Sequence, residues 1–128
     1  MSLNCLNLVN LIISIGYMLP VSACYIVLDC NTRNMVYAIN CSVANCRQQY
    51  IGQSGRSLRE RLMEHLGYVD KNKEATGKHF NLPGHSKWDI KATVLEKVHT
   101  REVWVREERE SLWIRNCNSF YKGINKKP

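Results

Sequence analysis

Apolar and polar positions follow one rule near the start of the chain and another beyond it. Between Leu6 and Val21 the apolar residues Leu6, Leu8, Val9, Leu11, Ile12, Ile13, Ile15, Tyr17, Met18, Leu19 and Val21 crowd around Pro20. Asn7, Asn10 and Ser14 interrupt the run, which makes it a poor membrane span. Val21-Ser22-Ala23 has the small-residue form of a signal-peptide exit, yet no Lys or Arg stands at the front of the segment. Residues 1–23 therefore read as an apolar leader outside the domain, and residues 24–128 as the domain itself.

From there the pattern becomes that of a small α/β (α+β) fold. Tyr25 to Leu28 reads as a lead-in strand and Asn31-Thr-Arg-Asn34 as a turn. Apolar strands follow at about Met35 to Asn40 and Gln48 to Gly52, and their short connection favours an antiparallel hairpin. Gly52 and Gly55 break the second strand. Ser57-Leu-Arg-Glu60 is a capping box, and Leu58, Leu62, Leu66 and Val69 supply the buried stripe of the helix it opens. A polar stretch from Asp70 to Ser86 holds one short helix near Ala75 to Phe80. Ile90, Ala92 and Val94 alternate with Lys91 and Thr93 as a half-buried third strand. Thr100 opens a long helix to about Asn116, and Phe120 to Asn125 is a turn leading to a short strand or loop. The expectation is a three-stranded, mainly antiparallel sheet flanked by helices.

Length and charge narrow the picture. A chain of 128 residues holds one modest core. Its formal net charge is +7, and all 18 Lys and Arg lie from Arg33 onward, so the compact part is the basic part. Such a balance favours an anionic partner, with nucleic acid the leading class. The six cysteines, at 5, 24, 30, 41, 46 and 117, lack the dense spacing of a secreted disulfide scaffold. A reducing compartment, nuclear or cytoplasmic, and a metal follow more naturally than disulfides, and no stable membrane association is expected.

Three groups of residues could carry chemistry. Arg61 and His65 stand four apart on one face of the first helix, about 100° from its apolar stripe, which puts them at the border of core and surface. In the long helix Val103, Glu110, Trp113, Ile114 and Cys117 fall on one stripe. A carboxylate in that position must be neutralised, either by Arg106 or Arg61 or by a bound cation. Cys41 and Cys46, with four residues between them, and His79 and His85, with five, fit zinc-ligand spacings. The 32 residues separating the pairs would make such a zinc a clasp between distant parts of the domain. Trp88, Trp104 and Trp113 read as core or core edge, and His99 as a surface residue.

The two strands add a resemblance. Tyr50-Ile51-Gly52 reproduces the second motif of the GIY-YIG nuclease superfamily, and Tyr37 stands at the tyrosine of the first, with Met35 and Val36 in place of its glycine and isoleucine. The resemblance runs from about Asn31 to Asn125. It implies a metal-dependent DNA endonuclease with Mg2+ or Mn2+ held by Glu110, the scissile phosphate bound by Arg61, and Asn125 holding the site together. Tyr37, helped by His65, would activate the attacking water, and Tyr50 would position water or phosphate. Arg59 competes with Arg61, but its distance from Tyr-Ile-Gly and the partnership with His65 favour Arg61. The cysteines between the tyrosine motifs and the stretch Lys78-His-Phe-Asn-Leu-Pro-Gly-His85 are similar to the endonuclease domain of Penelope-like retroelements. That likeness implies retroelement insertion alongside a reverse transcriptase that this chain lacks. Two alternatives belong to other classes: a catalytically inactive, zinc-stabilised DNA-binding module derived from a nuclease, and a secreted basic protein.

Overall fold

The computed structural model describes residues 30–119 and 123–126; the leader and the lead-in strand lie outside the described residues. Three strands, β1 (Met35–Cys41), β2 (Gln49–Ser54) and β3 (Ile90–Lys97), form one antiparallel sheet in the order β2-β1-β3. Helices α1 (Leu58–Lys71) and α2 (Glu74–His79) lie between β2 and β3 in sequence, followed by a 3₁₀ turn at Lys87–Asp89, and α3 (Val103–Cys117) closes the domain.

The central strand explains the layering. All seven residues of β1 are buried. Met35, Tyr37, Ile39 and Cys41 pack on one face with Leu58 and Val69 of α1, Phe80 and Val94. Val36 and Ala38 pack on the other with Ile51, Val98 and Ile114 of α3. A strand covered on both faces shows a continuous apolar run rather than alternation. β1 pairs with β2 so that Tyr37 stands opposite Gly52. Between Val36 and Tyr37 its register with β3 shifts, from Glu96 to Val94, leaving Leu95 as an extra residue.

Local chemistry sets the helix starts. Ser57 Oγ accepts from the Glu60 amide at 3.2 Å and donates to the Glu60 carboxylate at 3.1 Å. The amides of Leu58 and Arg59 donate to the carbonyls of Thr32 and Cys30, which ties the entry to β1 onto α1. A complete capping box forms at Ser86 and Asp89, at the end of the polar stretch and before β3. The last helix begins at Val103 rather than Thr100. The Asn34 amide takes the carbonyls of Val98 and Thr100, and Thr100 Oγ1 accepts from the Glu102 amide, so the residues before Val103 are committed elsewhere.

Two other expectations are corrected. Trp88 is 77% exposed and Trp104 62%, so neither belongs to the core, and Val103 is also exposed. Of the predicted α3 stripe Ile114 is buried, while Trp113 and Cys117 pack partly against the sheet. Cys117 is disulfide-bonded, against the expectation of metal ligation without disulfides. At the other end, residues 123–125 run along the outer edge of β2. The Ile124 amide donates to Gln49 O at 2.7 Å, and the Asn125 carboxamide brackets Ile51, accepting from its amide at 2.7 Å and donating to its carbonyl at 2.8 Å. Gly123 permits this approach, because a Cβ there would lie 2.6 Å from Gln49 O.

Candidate active site and metal clasp

Tyr37 projects from β1 under α1 and is fully buried. Its hydroxyl accepts from Arg61 Nε at 2.9 Å and lies 2.8 Å from His65 Nε2, while His65 Nδ1 lies 2.7 Å from Thr76 Oγ1. Proton inventory sets the directions. A guanidinium can only donate, so the Tyr37 oxygen accepts from Arg61, and donation of the phenolic proton to His65 Nε2 goes with an imidazole proton on Nδ1 toward Thr76. The ring is neutral, because burial and then the nearby Arg61 charge depress its pKa to about 3. Gly52 makes the arrangement fit. A Cβ at that position would sit 2.5 Å from Cζ of the Tyr37 ring.

His65 therefore lies inside the domain, at 1% exposure, and not at the border where the helical stripe placed it. The cause is α2, which docks on α1 and covers that face. A Cβ on Gly77 would come 2.7 Å from the Tyr68 carbonyl carbon, so glycine allows the two helices to touch. Arg61 stays half-buried and Arg59 is exposed, and the structure brings Arg61 to the tyrosine.

A cleft of about 370 Å3 opens beside this network at the outer edge of β2, between Tyr50, Arg61 and Tyr68 on one side and Glu110 of α3 on the other, with Asn125 at its rim. Arg61 Nη1 donates to Tyr68 OH and to Glu64, each at 3.2 Å. Burial works against the guanidinium charge, but Tyr37, Tyr68 and Glu64 outweigh it and its pKa is raised. Tyr37 and Tyr50 are both pushed up, by burial first, with Arg61 opposing. Both phenols are protonated at neutral pH.

Glu110 is the carboxylate that chain periodicity singled out. Burial raises its pKa and Glu107 adds to that, while the Gln53 backbone amide and Arg61 pull the other way. Among the described residues it makes no ion pair. Arg106 bonds the side chains of Gln53 and Asn34 instead, and Arg61 pairs with Glu64. A half-buried carboxylate without a cationic partner, facing a cleft, suits a hard divalent ion that completes its shell with water and phosphate oxygens.

Tyr68, Thr76 and Glu74 also line the cleft, and none was singled out from the sequence. Tyr68 was findable, since it follows His65 by three residues and Arg61 by seven on one helical face. Thr76 and Glu74 carried no signal, because their placement depends on how α2 docks.

The second cluster lies at the far end of β1. The ligand atoms of Cys41, Cys46, His79 and His85 all fall within 4.8 Å of one another, and Cys46 Sγ is 3.5 Å from His79 Nε2. Tetrahedral zinc with ordinary bond lengths has ligand-to-ligand edges of about 3.3–3.8 Å. His85 Nδ1 faces the Pro83 carbonyl at 3.1 Å, which holds its proton there, and its Nε2 is buried with no neighbour inside hydrogen-bond geometry among the described residues, though Cys46 lies near enough to raise the ring's pKa. That lone pair aimed into a Cys/His cluster is what a zinc ligand requires. Burial pushes Cys41 up to about 12 and the adjacent Cys46 adds to it, so two thiolates here need a cation between them. The wide cysteine spacing is closed by Asn45 and Arg47, both at positive φ on either side of Cys46.

This three-stranded antiparallel sheet with its helices carries Tyr37 on the central strand and Tyr50-Ile51-Gly52 beside it. Among solved structures it is similar to the catalytic domain of the homing endonuclease I-TevI, at 22% identity and a TM-score of 0.62, covering 75% of this chain and 100% of that one. A Glu-to-Ala mutant of the same intron endonuclease domain matches at 21% identity and 0.62, over 75% of this chain and 95% of that one. Likeness at that identity speaks to the fold. No protein-family model matches the sequence, and no curated protein does. Among the described residues no helix is long and apolar enough to cross a membrane.

Proposed function

We propose that this chain is a GIY-YIG-type endonuclease that nicks a phosphodiester bond of DNA, with Mg2+ or Mn2+ held at Glu110 and zinc held by Cys41, Cys46, His79 and His85. The observation that carries the reading is the convergence of three elements on one cleft: the Tyr37–His65–Arg61 network, Tyr50, and a Glu110 that makes no ion pair among the described residues. A divalent ion there would polarise the phosphoryl oxygen and stabilise the leaving oxygen. Arg61 binds the non-bridging oxygens, where fixed charge is most effective as negative charge grows. Tyr50 lines the cleft and positions the phosphate or the water. As water oxygen attacks phosphorus and the bond to the sugar oxygen breaks, the water proton passes toward Tyr37 while Tyr37 yields its own to His65. Burial, the larger cause of the depressed basicity of His65, opposes that transfer, and a phosphate on Arg61 would offset only the smaller one. Asn125 fixes β2 from its outer edge.

Within the superfamily the reading extends to the endonuclease domain of Penelope-like retroelements, where the nick would serve insertion by a reverse transcriptase. The Cys/His cluster between the tyrosine motifs and the loop after α2 supports that assignment. One observation favours a second reading, a zinc-stabilised DNA-binding module without cleavage: Tyr37 is fully enclosed, and its hydroxyl is engaged on both sides. A nicking assay on supercoiled plasmid with Mg2+ or Mn2+ separates the two. Conversion to open circles that stops on chelation supports the nuclease, and binding without any nick supports the module.

A further inference from the structure

A second cleft, of about 450 Å3, lies on the Arg106 side of α3, and its walls include Arg33, Asn34, Lys97, His99, Arg101 and Arg106 but no carboxylate. Of these cations only Arg33 pairs with an acid among the described residues, at 2.8 Å from Glu60 on the exposed side. Arg106 is held differently. Its Nε donates to Gln53 Oε1 at 2.8 Å and its Nη1 to Asn34 Oδ1 at 2.7 Å, two neutral acceptors that fix the guanidinium and leave its charge intact. Gly55 lies beside that group, where a Cβ would meet both Nη atoms at 3.4 Å, an ordinary contact distance. Asn34, at φ +57, spans the cleft: its amide holds the carbonyls of Val98 and Thr100 while its oxygen holds Arg106. The cleft is thus a built surface, organised by one asparagine, with a preset arginine fork.

Its position relates it to the first cleft. Gln53 holds Arg106 with its side chain and faces Glu110 with its backbone amide. Arg106 and Glu110 are one turn apart on α3, about 6 Å along the axis, close to the rise of two nucleotides of one DNA strand. Fixed arginines of this kind recognise phosphate by paired, charge-assisted N–H bonds. We infer that the second cleft binds a backbone phosphate of duplex DNA a few nucleotides from the scissile bond and sets the register in which the strand enters the first. The inference rests on the reading of the first cleft as a DNA-cutting site.

Binding is measured by fluorescence anisotropy of a fluorescein-labelled duplex on the zinc-loaded Glu110→Gln protein, so that cleavage plays no part. Adding Arg101→Gln and Arg106→Gln weakens binding by about tenfold or more, and each lost contact lowers the slope of log K against log salt by about 0.9. Arg101→Gln alone, at an exposed position, shows the smaller slope loss and guards against misfolding of the combined variant. Unchanged affinity and slope in both variants overturn the inference while leaving the cleavage reading intact. Inorganic phosphate that shifts the Asn34 and Gly55 amide signals of a protein whose variants bind duplex normally marks a small-anion site and also overturns it. A parent that binds no duplex overturns both readings. A parent that binds but a wild type that never nicks overturns cleavage alone, and the slope loss then stands for the phosphate site.

Discussion

Gly52→Ala tests the geometry of the tyrosine network directly. The added carbon would lie 2.5 Å from Tyr37 Cζ, whereas carbon atoms rest at about 3.5–4.0 Å, so one group must move by about 1 Å or more. Tyr37 cannot withdraw without breaking its bonds to Arg61 at 2.9 Å and His65 at 2.8 Å. β2 cannot withdraw either, being paired with β1 on one side and bracketed by Asn125 on the other. Overpacking of this kind costs about 1–3 kcal/mol, and loss of a buried bond to a charged donor about 1.5–3 kcal/mol, which together give roughly 3–5 kcal/mol. For a domain of this size the melting temperature falls by on the order of 10–20 °C or more. Chemical denaturation of the zinc-loaded protein, with Tyr37→Leu and the double variant, completes a cycle. In the Tyr37→Leu background the ring is gone and the alanine should cost under about 1 kcal/mol, a coupling of at least about 2 kcal/mol. A Gly52→Ala cost below about 0.5 kcal/mol, or the same cost with and without the ring, would show that the glycine serves another purpose and refute the reasoning.

Glu110→Gln should abolish nicking while leaving duplex affinity nearly intact, since it removes a metal ligand and no phosphate-binding cation; near-normal cleavage at saturating Mg2+ refutes the assignment. The native protein should carry one zinc by elemental analysis, and chelation should lower the melting temperature, because metal binding free energy becomes folding free energy; a metal-free native protein of unchanged stability would exclude the clasp. His65 has a folded pKa of about 3 against an ordinary 6.5, so the unfolded chain binds the extra proton and stability falls as pH drops from about 6.5 toward 3. His65→Gln should remove up to about 1.4 kcal/mol per pH unit of that slope, and an identical slope in wild type and variant argues that the ring is not buried neutral. Deleting residues 1–23 should preserve fold, zinc and nicking, and a truncated protein that fails to fold would put the leader inside the domain.

The elements and the candidate site residues were legible in different degrees, for physical reasons. β1 and β2 announced themselves because a strand covered on both faces needs apolar residues throughout, and the Tyr-Ile-Gly sequence carries its own steric demand at Gly52. Glu110 stood out because a carboxylate on an apolar helical stripe is costly wherever that stripe leads. The Cys and His pairs were readable from ligand spacing, and the wide interval between them from the absence of a compact finger. Helical spacing could not show that His65 is buried. Its own helix places it at a margin, and only the docking of α2 through Gly77 turns the margin into interior. Trp88 and Trp104 misled for the converse reason. Large apolar side chains are expected under cover, yet nothing in their local pattern says that the 3₁₀ turn and the first turn of α3 present them outward.

The same short helix joins the two sites. α2 has six residues, far below the length at which an isolated helix holds its shape in water. Its stability must come from contacts, and three of them are specific: Gly77 against the Tyr68 carbonyl, Thr76 against His65 Nδ1, and His79 in the Cys/His cluster. Thr76 and His79 are three residues apart and so share a face. Zinc at His79 would therefore restrain the hydroxyl that faces His65 Nδ1, and through it the ring that lies against the Tyr37 hydroxyl. The Cys/His cluster lies away from the cleft, but losing a metal there would loosen the far end of the chain of bonds that ends on the Tyr37 hydroxyl. The consequence is ordered: in the zinc-free protein the His65 ring should lose its single tautomer before the sheet melts, because the sheet is held by β1 and its two packed faces, whereas the Nδ1 side of the ring is held by Thr76 of α2.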